Sequence, residues 1–117
     1  MTSTAPHDDE DIGGLDIVDR AHLASFTDGD TELEGELAEL FVSTAQGYLK
    51  RMREAVQEER GWSAEAHALK GASANLGARR VAALARQAEF LPPSDERLEA
   101  LGEAVDEVAA HFANRRA

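Results

Sequence analysis

Cysteine is absent from the 117 residues, which excludes a disulfide framework, a zinc-thiolate site, an iron-sulfur cluster and a cysteine nucleophile. Basic charge is short as well. Twelve Lys and Arg stand against 23 Asp and Glu, a formal net charge of −11, so most of the surface repels nucleic acid and anionic membranes. No stretch approaches the roughly 18 apolar residues of a spanning helix, and the polar, acidic start from Met1 to Gly14 does not read as a secretory leader. One Trp and one Tyr make no base-stacking platform. Branched aliphatics are scarce: Val and Ile contribute eight residues, whereas Ala, Leu and Glu contribute 48, the reverse of what a pleated sheet prefers. What remains is an all-helical chain with room for one core. It is expected in the cytoplasm, and the lack of cysteine agrees with a reducing compartment.

Residues 1–14, MTSTAPHDDEDIGG, combine Ser, Thr, Pro, four consecutive acids (Asp8, Asp9, Glu10, Asp11) and a Gly pair. They bury too little apolar surface to offset their ordering entropy and read as a flexible acidic tail. From 15 to 117 the chain reads as one helical domain. Leu15, Ile17, Val18, His22, Leu23 and Phe26 suggest a short helix, capped by Asp19, that lids one end of the fold. Leu33, Leu37, Leu40, Phe41, Ala45, Tyr48, Leu49, Met52 and Val56 recur at helical spacing after the cap candidates Asp30 and Thr31. Gly47 is expected to bend or divide this stretch and Gly61 to end it. Ser63 is the expected cap of the next helix, which closes at Leu76 with Gly77 as the left-handed residue. Val81, Leu84, Ala88 and Leu91 carry a further stripe as far as Pro92-Pro93. Ser94 then caps a last helix bearing Leu98, Leu101, Val105, Val108 and Phe112. The expected fold is all-α, an antiparallel up-and-down four-helix bundle with a short additional N-terminal helix.

The segment 62–76 does not behave like bundle filler. With Leu69 at zero and about 100° per residue, Trp62, Ala66, Ser73 and Leu76 fall within about 60° of it and form the core face. His67 then lies at about 160°, Lys70 at about 100°, and Ala74, Gly71 and Ala64 between about 140° and 220°. A solvated face would ordinarily carry Glu, Lys, Gln or Arg there, and Gly71 costs roughly 1 kcal/mol against Ala in a helix interior. A bare face around one imidazole leaves the ring open as a nucleophile and lets another backbone approach. Lys70, one turn on, can pair with an anion attached to the ring. Between Trp62 and Phe90 four basic residues (Lys70, Arg79, Arg80, Arg86) outnumber two acidic ones (Glu65, Glu89), so the net-positive stretch of the chain brackets His67. A phosphoryl group, at about −1.5 to −2 near neutral pH, is stabilised by such surroundings.

The run His67-Ala68-Leu69-Lys70-Gly71-Ala72-Ser73-Ala74-Asn75-Leu76-Gly77-Ala78 closely resembles the signature H-x-L-K-G-[SA]-[SA]-x-x-L-G-A of histidine-containing phosphotransfer (HPt) domains, and every fixed position matches. The likeness in helix layout extends from about Asp16 to Ala113. The resemblance implies a four-helix bundle whose exposed histidine takes a phosphoryl group from the aspartate of one receiver domain and hands it to another. It assigns His67 as phosphoacceptor, Lys70 to steadying the phosphoryl oxygens, and Gly71 to docking clearance, to which the bare helix positions Ala74 and Ala64 add. A Gln or Glu on the following helix often bonds the ring in such domains; the matching position is Glu89, with Gln87 at the other edge of that stripe as the alternative.

The resemblance further implies receiver domains of response regulators as partners, together with a hybrid histidine kinase. Mg²⁺ is supplied by the receiver, and the chain needs no cofactor of its own. No GxxxxGK[ST] loop occurs in the sequence, so neither ATP binding nor autokinase activity is expected. The histidines have no metal-ligand spacing; His7, His22 and His111 read as surface or packing residues. An initiating Met and the tail lead us to expect a free-standing protein, and a monomer is expected. The competing readings are a binding-only adaptor that docks receivers or a kinase without carrying phosphate, and an oligomerisation module whose His67 face is its own interface.

Overall fold

The computed structural model describes residues 12–116, and the part of the expected tail up to Asp11 lies outside the described residues. A short 3₁₀ turn at Ile12–Gly14 precedes five helices: α1 (Arg20–Thr27), α2 (Thr31–Gln57), α3 (Ser63–Leu76), α4 (Arg79–Glu89) and α5 (Asp95–Arg116). There is no strand among the described residues. Helices α2 to α5 each pack on their neighbours in sequence, and α5 closes the ring on α2. The connections are short, only Gly77 and Ala78 between α3 and α4, which obliges neighbouring helices to run antiparallel. A hairpin of two short helices, α3 and α4, thus lies against the paired long helices α2 and α5.

The caps explain most of the boundaries. Asp19 Oδ1 accepts from the backbone N–H of His22 at 3.1 Å, and Asp30 Oδ1 accepts from Glu32 and Leu33 at 3.0 and 3.1 Å. Ser94 Oγ accepts from the Arg97 backbone at 3.1 Å. Each satisfies donors that the first helical turn leaves over. Gly77 ends α3 at φ +87°, and a Cβ there would sit 3.2 Å from the Asp19 carbonyl oxygen and from His22 Cδ2. The Asp19 N–H donates to the Gly77 oxygen at 2.7 Å, and the His22 Nε2–H donates to the Asn75 carbonyl at 3.1 Å. Those two bonds lock α1 over the end of α3.

Three local expectations fail for identifiable reasons. Helix α2 runs unbroken from Thr31 to Gln57, because one glycine costs only roughly 1 kcal/mol and the core residues on both sides of Gly47 hold one straight face. It ends before Gly61: Glu59 takes the left-handed conformation at φ 55°, with Arg60 N–H donating to Ala55 O at 2.9 Å and Glu59 N–H to Val56 O at 3.3 Å. This is a Schellman closure made without glycine. Ser63 is the first residue of α3 rather than its cap, and Trp62 at the cap position makes no side-chain capping bond to the helix.

The core joins Phe41, Ala45, Met52, Trp62, Leu69, Val81, Leu101, Val105 and Val108, with Leu23 from α1. Leu33 and Leu40 repeat at core spacing yet are exposed, Leu40 by 65%, since the apolar stripe on α2 is wider than the arc its neighbours cover. Phe26 and Leu91 are also exposed. Residues 12–14, expected in the tail, fold back on α4: Ile12 is buried, and Arg80 donates through Nε to Leu15 O at 2.7 Å and through a guanidinium nitrogen to Gly13 O at 3.0 Å. No helix among the described residues is long and apolar enough to cross a membrane.

Candidate functional site

Helix α3 buries Ala66, Leu69, Ser73 and Leu76, so its opposite side is turned to solvent with His67 at its centre. The His67 side chain is 65% exposed. Ala64, Gly71 and Ala74 are exposed beside it, and an added Cβ at Gly71 would meet nothing within 4 Å. Around the imidazole the helix presents little but backbone and methyl groups.

Glu89, the last residue of α4, reaches this ring. Its Oε2 lies 2.9 Å from His67 Nδ1, and its Oε1 lies 3.3 Å from Lys70 Nζ. The end of α4 is held there from beneath. The Trp62 indole N–H, in the core at the start of α3, donates to Ala88 O at 2.9 Å, and Leu91 N–H donates to the same oxygen at 3.3 Å. Gln87, the alternative ring partner, lines a separate hollow with Ser94 and Arg97 instead.

Burial pushes the Glu89 carboxyl up, but the hydrogen bond from His67 and the adjacent Lys70 ammonium together outweigh it, leaving the pKa below its ordinary value. The carboxylate is therefore ionised near neutral pH and can only accept. It follows that the proton of the short contact sits on His67 Nδ1. In the neutral ring the lone pair is then on Nε2, which has no partner among the described residues. The arrangement offers an oriented nitrogen nucleophile in the open, an ammonium paired with the same carboxylate, and an anion behind the ring that stabilises positive charge developing there.

A groove of about 520 Å³ continues from Lys70 and Ala74 along the line between α3 and α4, with Arg79 and Arg86 on the α4 side. Two features escaped the sequence reading. Lys70 was expected to meet only a phosphoryl group, yet it shares Glu89 with the histidine; their separation of 19 residues carries no periodic signal. Trp62 read as part of the core face, and its hydrogen bond to Ala88 depends on a contact between helices.

The Hpt domain family model matches residues 36–113, from the second turn of α2 almost to the end of α5. This span includes His67, Lys70 and Glu89 and covers more than half of the chain. The protein belongs to the Hpt domain family, the phosphocarriers that act with receiver domains and kinases in phosphorelay signalling. Searches of curated proteins and of solved structures each give no match.

Proposed function

We propose that this protein carries a phosphoryl group on Nε2 of His67 between the aspartates of receiver domains in a multistep two-component relay. The observation that carries the reading is the ring held by its Nδ1–H on Glu89, which leaves Nε2 as the exposed nucleophile. On docking, the Nε2 lone pair forms the N–P bond as the O–P bond of the receiver's aspartyl phosphate breaks, and the aspartate leaves as a carboxylate. The Nδ1 proton stays in place, so the ring becomes cationic, and Glu89 stabilises that charge. Lys70, 3.3 Å from the same carboxylate, turns its ammonium to the phosphoryl oxygens. Transfer to the next aspartate reverses each change.

Ala64, Gly71 and Ala74 keep the face clear for the partner. In-line phosphoryl transfer depends chiefly on positioning and charge neutralisation; in this reading the receiver contributes Mg²⁺ and its acidic pocket, and the carrier contributes the nucleophile and needs neither cofactor nor ATP. The donor side of the relay is a hybrid histidine kinase, the compartment is the cytoplasm, and the working form is the monomer.

The test is to incubate the chain and its His67→Gln variant with a panel of phosphorylated receiver domains and to map the label by acid sensitivity and mass spectrometry. Acid-labile phosphate on His67 that the variant lacks supports the reading. Binding to receivers without label on either protein would instead favour the adaptor that docks receivers and carries nothing.

A further inference from the structure

Helix α4 carries a second feature on the side facing away from the core. Arg79, Ala83, Arg86 and Phe90 follow one another at intervals of four, three and four residues, which places them on one flank of the helix and its cap. Arg79, Arg86 and Phe90 are exposed. Phe90 is 78% exposed, the most exposed large apolar side chain among the described residues. It directly follows Glu89, whose carboxylate touches His67. Leu91 and Pro92 beside it are exposed too, so the apolar surface is contiguous.

The backbone under this surface is fixed. Phe90 N–H donates to Gln87 O at 3.2 Å and Leu91 N–H to Ala88 O at 3.3 Å. The Arg97 guanidinium donates to Pro92 O at 3.3 Å, and two prolines restrict the chain beyond. An aromatic ring on an ordered backbone loses little freedom when it is covered, which is the property of an interface anchor. Phe26, the other well-exposed ring, already meets the His22 ring edge-on at 5.6 Å; Phe90 has no ring partner among the described residues. The surroundings also select the partner. The segment from Trp62 to Phe90 is net positive in a chain of net charge −11, so it favours a surface with an acidic centre and an apolar margin and disfavours the same face of a second copy.

We infer that Phe90 is an apolar anchor for the receiver domain that docks over His67, with Arg79 and Arg86 along the same flank meeting its acidic surface. The inference rests on the phosphotransfer reading and adds to it a residue that sets affinity for the protein partner while standing outside the reaction. Two donors separate docking from chemistry: a phosphorylated receiver, which must dock, and phosphoramidate, a small donor that needs no protein surface. The receiver is the one from the panel that labels the wild-type chain fastest, used below saturation.

Phe90→Ser should slow labelling by the receiver about tenfold, leave labelling by phosphoramidate within twofold of wild type, and be reversed by Phe90→Trp. An unchanged receiver rate would overturn the inference. So would an equal loss with both donors, which would mean that Phe90 shapes the site itself. A wild-type dimer in light scattering that Phe90→Ser dissolves would assign the surface to a second copy and overturn it as well. If neither donor labels wild-type His67, the phosphotransfer reading fails, and the anchor with it; that outcome is distinct from a loss confined to the receiver.

Discussion

His67 Nδ1 and Glu89 Oε2 lie 2.9 Å apart across 22 residues of sequence, and the second oxygen of the same carboxylate lies 3.3 Å from Lys70 Nζ. One anion thus serves two cationic or donor groups from the neighbouring helix. It holds the ring through its Nδ1–H and the ammonium through an ion pair.

Removing the acceptor should release the ring. Glu89→Ala is expected to slow labelling of His67 roughly tenfold and to lose the preference for the Nδ1–H form, read from the nitrogen shifts of the imidazole. Glu89→Gln keeps a carbonyl oxygen for the Nδ1–H and should retain the tautomer, although its neutral amide stabilises the phosphorylated ring less. Equal tautomer loss in both variants would contradict a hydrogen-bonding role.

The pKa of Glu89 has a consequence for acid stability. It lies below the ordinary glutamate value, because the His67 and Lys70 contacts outweigh burial. A depressed folded-state pKa contributes stability above the unfolded value, near 4.3 for glutamate, and that contribution is lost as pH falls through the folded pKa. The melting temperature of wild type relative to Glu89→Gln should therefore be highest near neutral pH and decline below about pH 4.5. Melting curves between pH 3 and 7 check this, and a gap that widens on acidification would contradict it.

In the proposed transfer, Lys70 supplies the charge for the phosphoryl oxygens. Lys70→Ala should lower transfer about a hundredfold, the scale of losing one electrostatic donor to a developing anion, with little change in the helical content seen by circular dichroism. It should also let the Glu89 carboxyl rise, measurable by carbon NMR titration. Full transfer activity in this variant would remove Lys70 from the mechanism.

The two glycines of the motif answer to different demands. Gly77 is left-handed and crowded by Asp19 and His22, so Gly77→Ala should destabilise by about 1–2 kcal/mol, several degrees in melting temperature. Gly71 has open space and a helical backbone, so Gly71→Ala should stabilise by up to about 1 kcal/mol. Gly71→Arg should fold normally and block transfer from receivers by covering the face. Thermal melts and transfer rates on the three variants separate structural from functional glycine.

The end of α2 offers a fourth site for stability. Glu59 holds a left-handed conformation that a Cβ disfavours, and Glu59→Gly should raise stability by about 1 kcal/mol. Denaturant unfolding is the check, with no change expected in labelling of His67.

The sequence determined the helical elements, most of their caps and half of the site. Ala-rich and Leu-rich periodicity needs no partner to be legible, and Asp19, Asp30, Ser94 and Gly77 act on backbone groups within a few residues of themselves. His67, Lys70 and the bare positions around them share one helix, so a fixed rotation per residue was enough to gather them. Tertiary structure decided what depends on how one helix turns against another. Glu89 and Gln87 flank the same stripe on α4, and only the seating of α4 on α3, with Trp62 bonded to Ala88, brings Glu89 to the ring. Which apolar residues stay uncovered was decided the same way. Leu40 and Phe90 read as part of the apolar pattern, or as nothing in particular, until the packing of α2 and the end of α4 left both in solvent. Periodicity reports a residue's angle about its own axis, whereas burial and reach depend on the neighbour's position, which no local spacing encodes.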